Sequence, residues 1–511
     1  MAEYNFGANI LETLTVSMYS EPKTIYREYI QNACDSIDKA VREGVLQPNE
    51  GEIVLEIDSD ARKITIEDNA MGIPAADFKR VLGNIGDSEK DKDTDKGFRG
   101  IGRLSGLGYC RQLIFTSKCR GEKVVSIMKS DGEIMRAMIN DKGRYSAIDM
   151  LKEMNTFEIR PARDDDRDGF KVEMIDVLDT ADKIIGDIQA IKNYLAFVSP
   201  APYDNSTFIY SAKIYEHARE LNQPIDEYNI FINGERILKK YSTTLETARS
   251  GGDKIVDVGF KDFYDDDGSL LAWMWIGISR FKGKLGQKSL MRGIRLRKEN
   301  IQIGDDNTMQ RFFSEERAGN YFIGEVHAIA KDLIPDSQRD FFNENETWLK
   351  LQLKLVEYFR DQLQRIYHYG SDFNSIAKYA VDQEAFEEKR QRNLFIDEEQ
   401  LSKAERKLEK SKRQAERARK TLDNARQNYE GDELMTSVLD QLKLESPPKQ
   451  EVSPPKRKQT FRADKLYKLS RKDRELLTQV FNLISRDCVA QKIITEMTSE
   501  QIIQTIEEGL Q

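Results

Sequence analysis

Histidine and cysteine are scarce in this chain, and their scarcity removes several kinds of chemistry at once. Three histidines in 511 residues, His217, His327 and His368, lie far apart, which leaves few candidates for a phospho-acceptor or for a base that activates a nucleophile. The four cysteines, Cys34, Cys110, Cys119 and Cys488, fall without C-x-x-C spacing, so neither a zinc motif nor a dithiol motif is visible. No run of about 18 or more apolar residues occurs, and the opening MAEYNFGANILETL lacks the basic flank and apolar stretch of a secretory leader. The expectation is a soluble, cytoplasmic protein with no membrane partner. Positive charge is not in excess either. A net charge of -9 argues against a generally basic nucleic-acid binder and leaves room only for a local basic segment. The P-loop pattern G-x-x-x-x-G-K-[ST] is missing, as is the Rossmann glycine spacing.

What is present is enough chain for two or three domains. After a first helix, EIVLEID (52–58) and RKITIEDN (62–69) alternate as an antiparallel pair, and strand-like runs follow at QLIFTSK, KVVSIMKS, EIMRAMIN, TFEIRP and FKVEMIDV. Helix followed by mostly antiparallel strands predicts a two-layer α/β sandwich over residues 1–195. A second mixed region, 196–375, carries candidate strands at EYNIFING, SLLAWMWIGIS, MRGIRLRK and YFIGEVHA, then a helix from Glu346 to Tyr369. Over 385–432 a charged, alanine-rich stretch repeats every seven residues at Leu401, Leu408, Ala415, Leu422 and Tyr429, with Ala404, Ser411, Ala418 and Ala425 three positions on. That seam predicts a helical hairpin or coiled coil, against the plainer reading of one charged helix. Paired prolines make 443–462 an extended linker with a basic end, and 463–511 reads as a small helical unit with Ser470 as one N-cap and Thr498 and Gln501 as a capping box. The basic stretch from Lys456 to Arg474 would suit nucleic acid or an acidic partner, or serve only as a soluble linker.

The stretch YREYIQNACDSIDKA (26–40) has an ordinary apolar side, Tyr26, Ile30, Ala33 and Ile37, and an unusual polar one, where Glu28, Asn32, Asp35 and Lys39 line up. Such a face is either solvated or points into a site, and Asn32 is the misfit because asparagine competes for backbone hydrogen bonds inside helices. Two further segments bear on the choice. IEDNAMGIP (66–74) puts Asp68 at a strand end before Gly72, where a carboxylate could accept from an exocyclic amine or simply close a turn. LGNIGDSEKDKDTDKGFRGIGRLSGLGYC (82–110) runs a charged loop into Gly97, Gly100, Gly102, Gly106 and Gly108, which suggests backbone amides presented to an anion.

In this order the segments resemble the GHKL superfamily of ATPases, which includes type II topoisomerases, ninety-kilodalton heat-shock chaperones, histidine kinases and MutL proteins. The likeness is greatest to the chaperone branch: YREYIQNACDSIDK is similar to its R-E-L-I-x-N-A-x-D-A-x-D-K helix, and GFRGIGRLSGLGYCRQLIFTSK to its G-x-x-G-x-G…T-S-K segment, without a gap. The resemblance implies an α+β protein, with an N-terminal Bergerat-type α/β sandwich, a transducer-like middle domain and helical C-terminal parts. It also implies ATP and Mg2+: Glu28 as the base that activates water, Asn32 as the magnesium ligand, Asp68 on the adenine amine, Asp35 and Lys39 beside the nucleotide, Gly72 at the adenine turn, and Gly97, Gly100 and Gly102 around the triphosphate, with 85–100 as a lid. Two departures stand out. Ala70 replaces the first glycine of the family's D-x-G-x-G, and the late G-T pair has no clear equivalent, since Gly169 precedes Phe170 and Thr156 follows Asn155.

In the second region DLIPDSQRDFFNEN (332–345) looks like the chaperones' middle-domain loop whose arginine reaches the γ-phosphate, which makes Arg339 the corresponding residue. A surface pair of Arg339 with Asp340 is the bland alternative, and Arg292, Arg295 and Arg297 are rivals. The function implied is an ATP-hydrolysing conformational switch whose N-terminal domains associate as a homodimer, remodelling a client or partner protein, in bacterial stress or anti-phage defence. The alternative is an ATP-gated clamp of MutL or MORC type on DNA. A histidine kinase is disfavoured, because no histidine lies in a dimerising helix beside the ATPase region.

Overall fold

The computed structural model describes residues 7, 9–13, 15, 21–85, 102–141, 145–247, 252–279, 281, 283–391, 395, 398–428, 436–440, 468–484 and 496–510. It is a mixed α+β structure with two sheets. The chain divides into two compact units, the first made of 1–279 with 283–361 and the second of 280–282 with 362–511.

In the first unit, helix α1 (Thr24–Arg42) buries Ile25, Tyr26, Ile30, Ala33, Ile37 and Ala40. Each large apolar side chain among them contributes about 1.5–3 kcal/mol on leaving water. Gly44, at φ 72°, ends the helix by donating to the Val41 carbonyl at 3.0 Å in the left-handed turn that only glycine adopts cheaply. The helix packs on a sheet of β1 (Glu52–Asp58), β2 (Lys63–Asp68), β3 (Cys110–Lys118), β4 (Val124–Asp131), β5 (Asn155–Pro161), β6 (Gly169–Val177), β7 (Asn229–Ile232) and β8 (Glu235–Arg236), in spatial order 5-4-3-6-2-1-7-8. The expected β1–β2 antiparallel pair forms, with Ile53 opposite Asp68.

Two expectations about strands are corrected. EIMRAMIN is a helix, Gly132–Asn140, because the Asp131 carboxylate accepts from the Glu133 and Ile134 amides and so caps a helix where the β4 strand ends. EYNIFING lies in the first sheet rather than the second, because Glu52–Leu55 pairs in parallel with Asn229–Ile232. Asn233 and Gly234 both have positive φ, the mirror-image turn that closes the β7–β8 hairpin, and the Asn233 side chain clasps both backbone groups of Ile57.

The second sheet, β9 (Thr244–Leu245), β10 (Asp253–Tyr264), β11 (Leu270–Ser279), β12 (Gly293–Lys298), β13 (Ile301–Ile303) and β14 (Ile323–Ala328), has order 13-12-14-11-10-9 and one parallel pair, β12 with β14. Trp273, Trp275 and Ile323 of this sheet belong to the same hydrophobic cluster as α1 and the first sheet. At its centre the Glu325 carboxylate, wholly buried, accepts from the hydroxyls of Tyr203 (2.5 Å) and Tyr241 (3.1 Å). Lys239 Nζ lies 3.1 Å from it and Arg297 Nε 2.6 Å, and both of these cations are wholly buried too. Burial pushes the Glu325 carboxyl up, but Arg297 and Lys239 hold it well below the usual range.

The helix expected over Glu346–Tyr369 starts at Glu346, capped by Asn345 on the Trp348 amide at 2.8 Å, runs to Tyr358, passes through a π turn at Phe359–Leu363, and continues as Gln364–Gln391. In the second unit that last helix packs with Glu398–Asn428 through Ile376, Ala415 and Ala418, where Ser411 donates to Asp382 at 3.1 Å. Tyr429 and the proline linker lie outside the described residues. Ser470 caps Arg471–Asn482 by accepting from the Asp473 amide at 3.3 Å. Thr498 is not a cap, since its helix, Glu496–Gly509, already includes it. Among the described residues no helix is long and apolar enough to cross a membrane.

Removing the Glu325 carboxylate leaves two buried cations without the carboxylate that faces them. Glu325→Leu is therefore expected to lower unfolding stability by about 3–5 kcal/mol, read as a fall in the urea midpoint; a midpoint within experimental error of wild type would show that the cluster is not stabilised by this ion pairing.

Candidate functional site

Along α1 the polar side is graded. Glu28 and Asn32 are half-buried, Asp35 is buried, and Lys39 is exposed, with its amine 4.0 Å from the Glu43 carboxylate. Lys39 also lies about 16 Å along the axis from Glu28 at 1.5 Å per residue, so the structure does not bring it to the residues gathered around Glu28.

Against Glu28 lies the start of a 3-10 turn, Gly102–Gly108, packed so tightly that a Cβ at Gly102 would overlap the Glu28 carboxylate. Tyr29 fixes this turn. Its hydroxyl donates to the Arg103 carbonyl and accepts from the Gly106 amide, both at 3.0 Å, and burial pushes its own ionisation well up. Arg103 in turn donates to the Val81 carbonyl at 2.9 Å and to the Asn84 carbonyl, which ties the turn to the end of helix Ala75–Gly83. Gly97, Gly100 and the expected lid from 86 onward lie outside the described residues.

At the end of β2, Asp68 is buried and accepts from the Ala70 amide at 3.0 Å. Desolvation dominates, and its carboxyl is pushed up to about 7. The following turn is packed backbone on backbone: a Cβ at Gly72 would meet the Lys118 carbonyl at 2.5 Å and that of Gly169 at 2.9 Å, and one at Gly169 would overlap the Asp68 carbonyl. Ser117 completes it, accepting from the Ile73 amide at 2.7 Å and donating to the Ile73 carbonyl at 3.1 Å. The register pairs Asp68 with Phe170 across β2 and β6. Gly169 and Phe170, left unassigned from sequence, thus stand beside Asp68 on the neighbouring strand.

Arg339 is buried and sits at φ 57°, in a loop that Asp336 organises by accepting from the amides of Gln338 (3.1 Å), Asp340 (3.0 Å) and Phe341 (3.2 Å). Burial lowers the guanidinium's hold on its proton, while the charge of Glu28, and next those of Glu299 and Asp35, oppose that shift. The loop is attached to α1 directly, because Arg27 Nη2 donates to the Gln338 carbonyl at 2.7 Å across 311 residues. The surface pair with Asp340 does not describe Arg339, which is 8% exposed. Its rivals have other work: Arg297 is spent on Glu325, Arg295 stacks 4.1 Å over the Phe197 ring, and Arg292 lies 3.4 Å from Asp306. A cavity of about 580 Å3 opens beside the Arg27–Gln338 contact, lined by Thr24, Tyr194, Asp305 and Arg311 among others, but Glu28, Asn32 and Asp68 are not in its wall.

The residues could accommodate a nucleotide: one buried carboxylate able to accept from an amine, glycines where any Cβ would intrude, and a half-buried carboxylate and amide one helical turn apart. Among the described residues no group of three His, Cys, Asp or Glu could hold a metal unaided. Tyr29, Arg27 and Ser117 were missed from sequence, and only Ser117, inside the T-S-K run, carried a local signal.

This ground plan, a carboxylate-bearing helix over a mixed sheet with an aspartate and glycines at its strand ends, is consistent with the GHKL fold. Residues 19–152 match the family model described as histidine kinase-, DNA gyrase B-, and HSP90-like ATPase, and the segment belongs to the heat-shock-protein-90-like branch of that superfamily. It is 29% identical over 169 residues to chaperone protein HtpG of Helicobacter hepaticus, covering 29% of this chain and 26% of that protein. The chaperone protein HtpG of Rickettsia rickettsii is 31% identical over 163 residues, 28% of this chain and 25% of its own. That of Sulfurovum sp. is 30% identical over 154 residues, with coverages of 26% and 25%. The chain spans about a quarter of the length of the curated relatives it matches.

The raised carboxyl of Asp68 has a consequence for stability. Unfolded, it ionises near 4; folded, near 7, so between those values the folded state holds the extra proton and loses about 1.4 kcal/mol per pH unit as pH rises. From pH 5 to pH 8 the stability of wild type relative to Asp68→Asn should fall by about 3 kcal/mol; parallel pH profiles in urea titrations would show that Asp68 is not a protonated buried acid.

Proposed function

We propose that this chain is an ATP-hydrolysing conformational switch of the heat-shock-chaperone type. The observation that supports it most is the meeting of three distant segments at one carboxylate: Glu28 on α1, the backbone of Gly102, and the charge of Arg339 from a loop held to the same helix. In this reading Asp68 accepts from the adenine amine, and Gly72, Gly102 and the undescribed Gly97 and Gly100 leave room for nucleotide. Asp35, buried on the same helix face, borders it. Lys39 is the weakest member of the set, being exposed and paired with Glu43. A magnesium ion held at Asn32 would neutralise phosphate charge. Glu28 takes a proton from the attacking water, and Arg339 stabilises charge that grows on the transferred phosphoryl group, which makes turnover depend on the fit of the Arg339 loop to α1.

The finer architecture goes with this proposal: a Bergerat-type N-terminal sandwich, a transducer-like middle region, and N-terminal association of two copies. So do a protein client or partner complex and a cytoplasmic setting in bacterial stress or anti-phage defence. The DNA-clamp alternative draws on the basic stretch 456–474, most of which lies outside the described residues, and no described contact favours it.

Glu28→Ala should bind ATP as wild type does and lose about 10²–10⁴-fold in steady-state turnover. Equal turnover in the two proteins would remove Glu28 from the chemistry. An amine donates more strongly to the ionised Asp68 carboxylate than to its neutral form, so nucleotide affinity should weaken, by up to about tenfold, between pH 8 and pH 6, with Asp68→Asn showing no such dependence. Calorimetry in wild type giving the same Kd at both pH values would place the base elsewhere.

A further inference from the structure

We propose that Asn300 is a positioning residue for Arg339: it pins the β12–β13 turn into the buried Lys239–Glu325 cluster, and that hairpin sets where Arg339 stands. This rests on the reading of Arg339 and Glu28 given above. Glu299 (φ 53°) and Asn300 (φ 59°) are consecutive left-handed residues, the mirror-image turn that lets Lys298 pair with Ile301. Asparagine tolerates that conformation, but this one is also buried and fully engaged. Its Oδ1 accepts from Lys239 Nζ at 2.7 Å, its Nδ2 donates to the Asp226 carbonyl at 2.6 Å, and its own carbonyl accepts from Arg297 Nη1 at 2.8 Å. Lys239 and Arg297 are the two cations of the Glu325 cluster.

Both ends of the same hairpin reach Arg339. The Glu299 charge favours the ionised guanidinium. Beyond β13, whose three residues are all buried, the Gly304 amide donates to the Arg339 carbonyl at 2.7 Å. Gly304 is at φ 67°, and a Cβ there would press on the Asp340 carbonyl at 2.9 Å, so the hairpin and the loop are in backbone contact. A buried ionic cluster adds little net stability over apolar packing, and its best-attested use is to fix one arrangement among several. Here the arrangement fixed is the register of the hairpin against which the Arg339 loop is hydrogen-bonded.

Lys239→Met would leave Glu325 short of a buried counter-charge and unfold the region, so the cut belongs at Asn300. Asn300→Gly keeps a residue at home with positive φ and removes only the side-chain ties. The full chain carrying Asn300→Gly, Arg339→Ala or both is assayed for melting, ATP affinity and ATP turnover. Expected are cooperative melting in all, unchanged Kd for ATP, a roughly tenfold fall in kcat for Asn300→Gly, a larger fall for Arg339→Ala, and a double variant no slower than Arg339→Ala alone. Wild-type kcat in a folded Asn300→Gly beside a slow Arg339→Ala would overturn the positioning role and leave the Arg339 reading standing, as would effects that multiply in the double variant. Wild-type turnover in Arg339→Ala would overturn both.

Discussion

A guanidinium can be taken out of water only where negative charge and hydrogen-bond acceptors are waiting for it, and the first unit is arranged around one such burial. Arg339 lies within the field of Glu28, Glu299 and Asp35, carboxylates drawn from a helix near the start of the chain and from a hairpin turn in the second sheet. Arg27 does the complementary job, donating from the same helix to the loop's backbone. The two sheets share a hydrophobic cluster for a generic reason, since each has an apolar face to cover, but the register in which they meet has a specific one. Moved away from α1, Arg339 would lose the charge of Glu28 that opposes the cost of its burial.

The N-terminal site was legible because its signals are local. Glu28, Asn32 and Asp35 repeat at helical spacing within one segment, Asp68 ends an alternating strand, and Gly102 lies in a short glycine-rich run, so a single window of sequence carries each of them. Gly169 was quoted and left unassigned, because what identifies it is a backbone pressed against Asp68 from a strand about a hundred residues further on. Tyr29 and Arg27 look like any half-apolar helix residues until the turn at Gly106 and the loop at Gln338 are seen to end on them. EIMRAMIN was misread because its apolar residues suit either period, and the Asp131 cap decides for helix. EYNIFING was grouped with the second region because parallel pairing with β1 leaves no trace in the strand itself.

The Glu325 cluster was not legible at all. Its donors come from Tyr203, Lys239, Tyr241, Arg297 and His327, scattered over more than a hundred residues, and none has a sequence neighbour that points to a shared carboxylate. Burial of two cations and one carboxylate in a sheet rich in tryptophan is a tertiary fact, paid for by the neatness with which the donors surround two oxygens. Phe170 makes the contrary case: the sequence showed plainly that no hydroxyl follows Gly169, and the structure adds that its ring lies 6.1 Å, centroid to centroid, from that of Phe115, so the wall beside Asp68 is apolar where a polar one was sought.

The contact from Arg27 to Gln338 spans 311 residues, and that span is also a delay. At about 5–20 residues per second, a ribosome finishes the carboxylate-bearing helix roughly 15–60 s before it finishes the loop that answers it. For that interval the growing chain has the first half of the arrangement and lacks the second. During it Glu28 stands without the guanidinium that later faces it, so the buried position of Arg339 beside α1 is settled by segments made far apart in time.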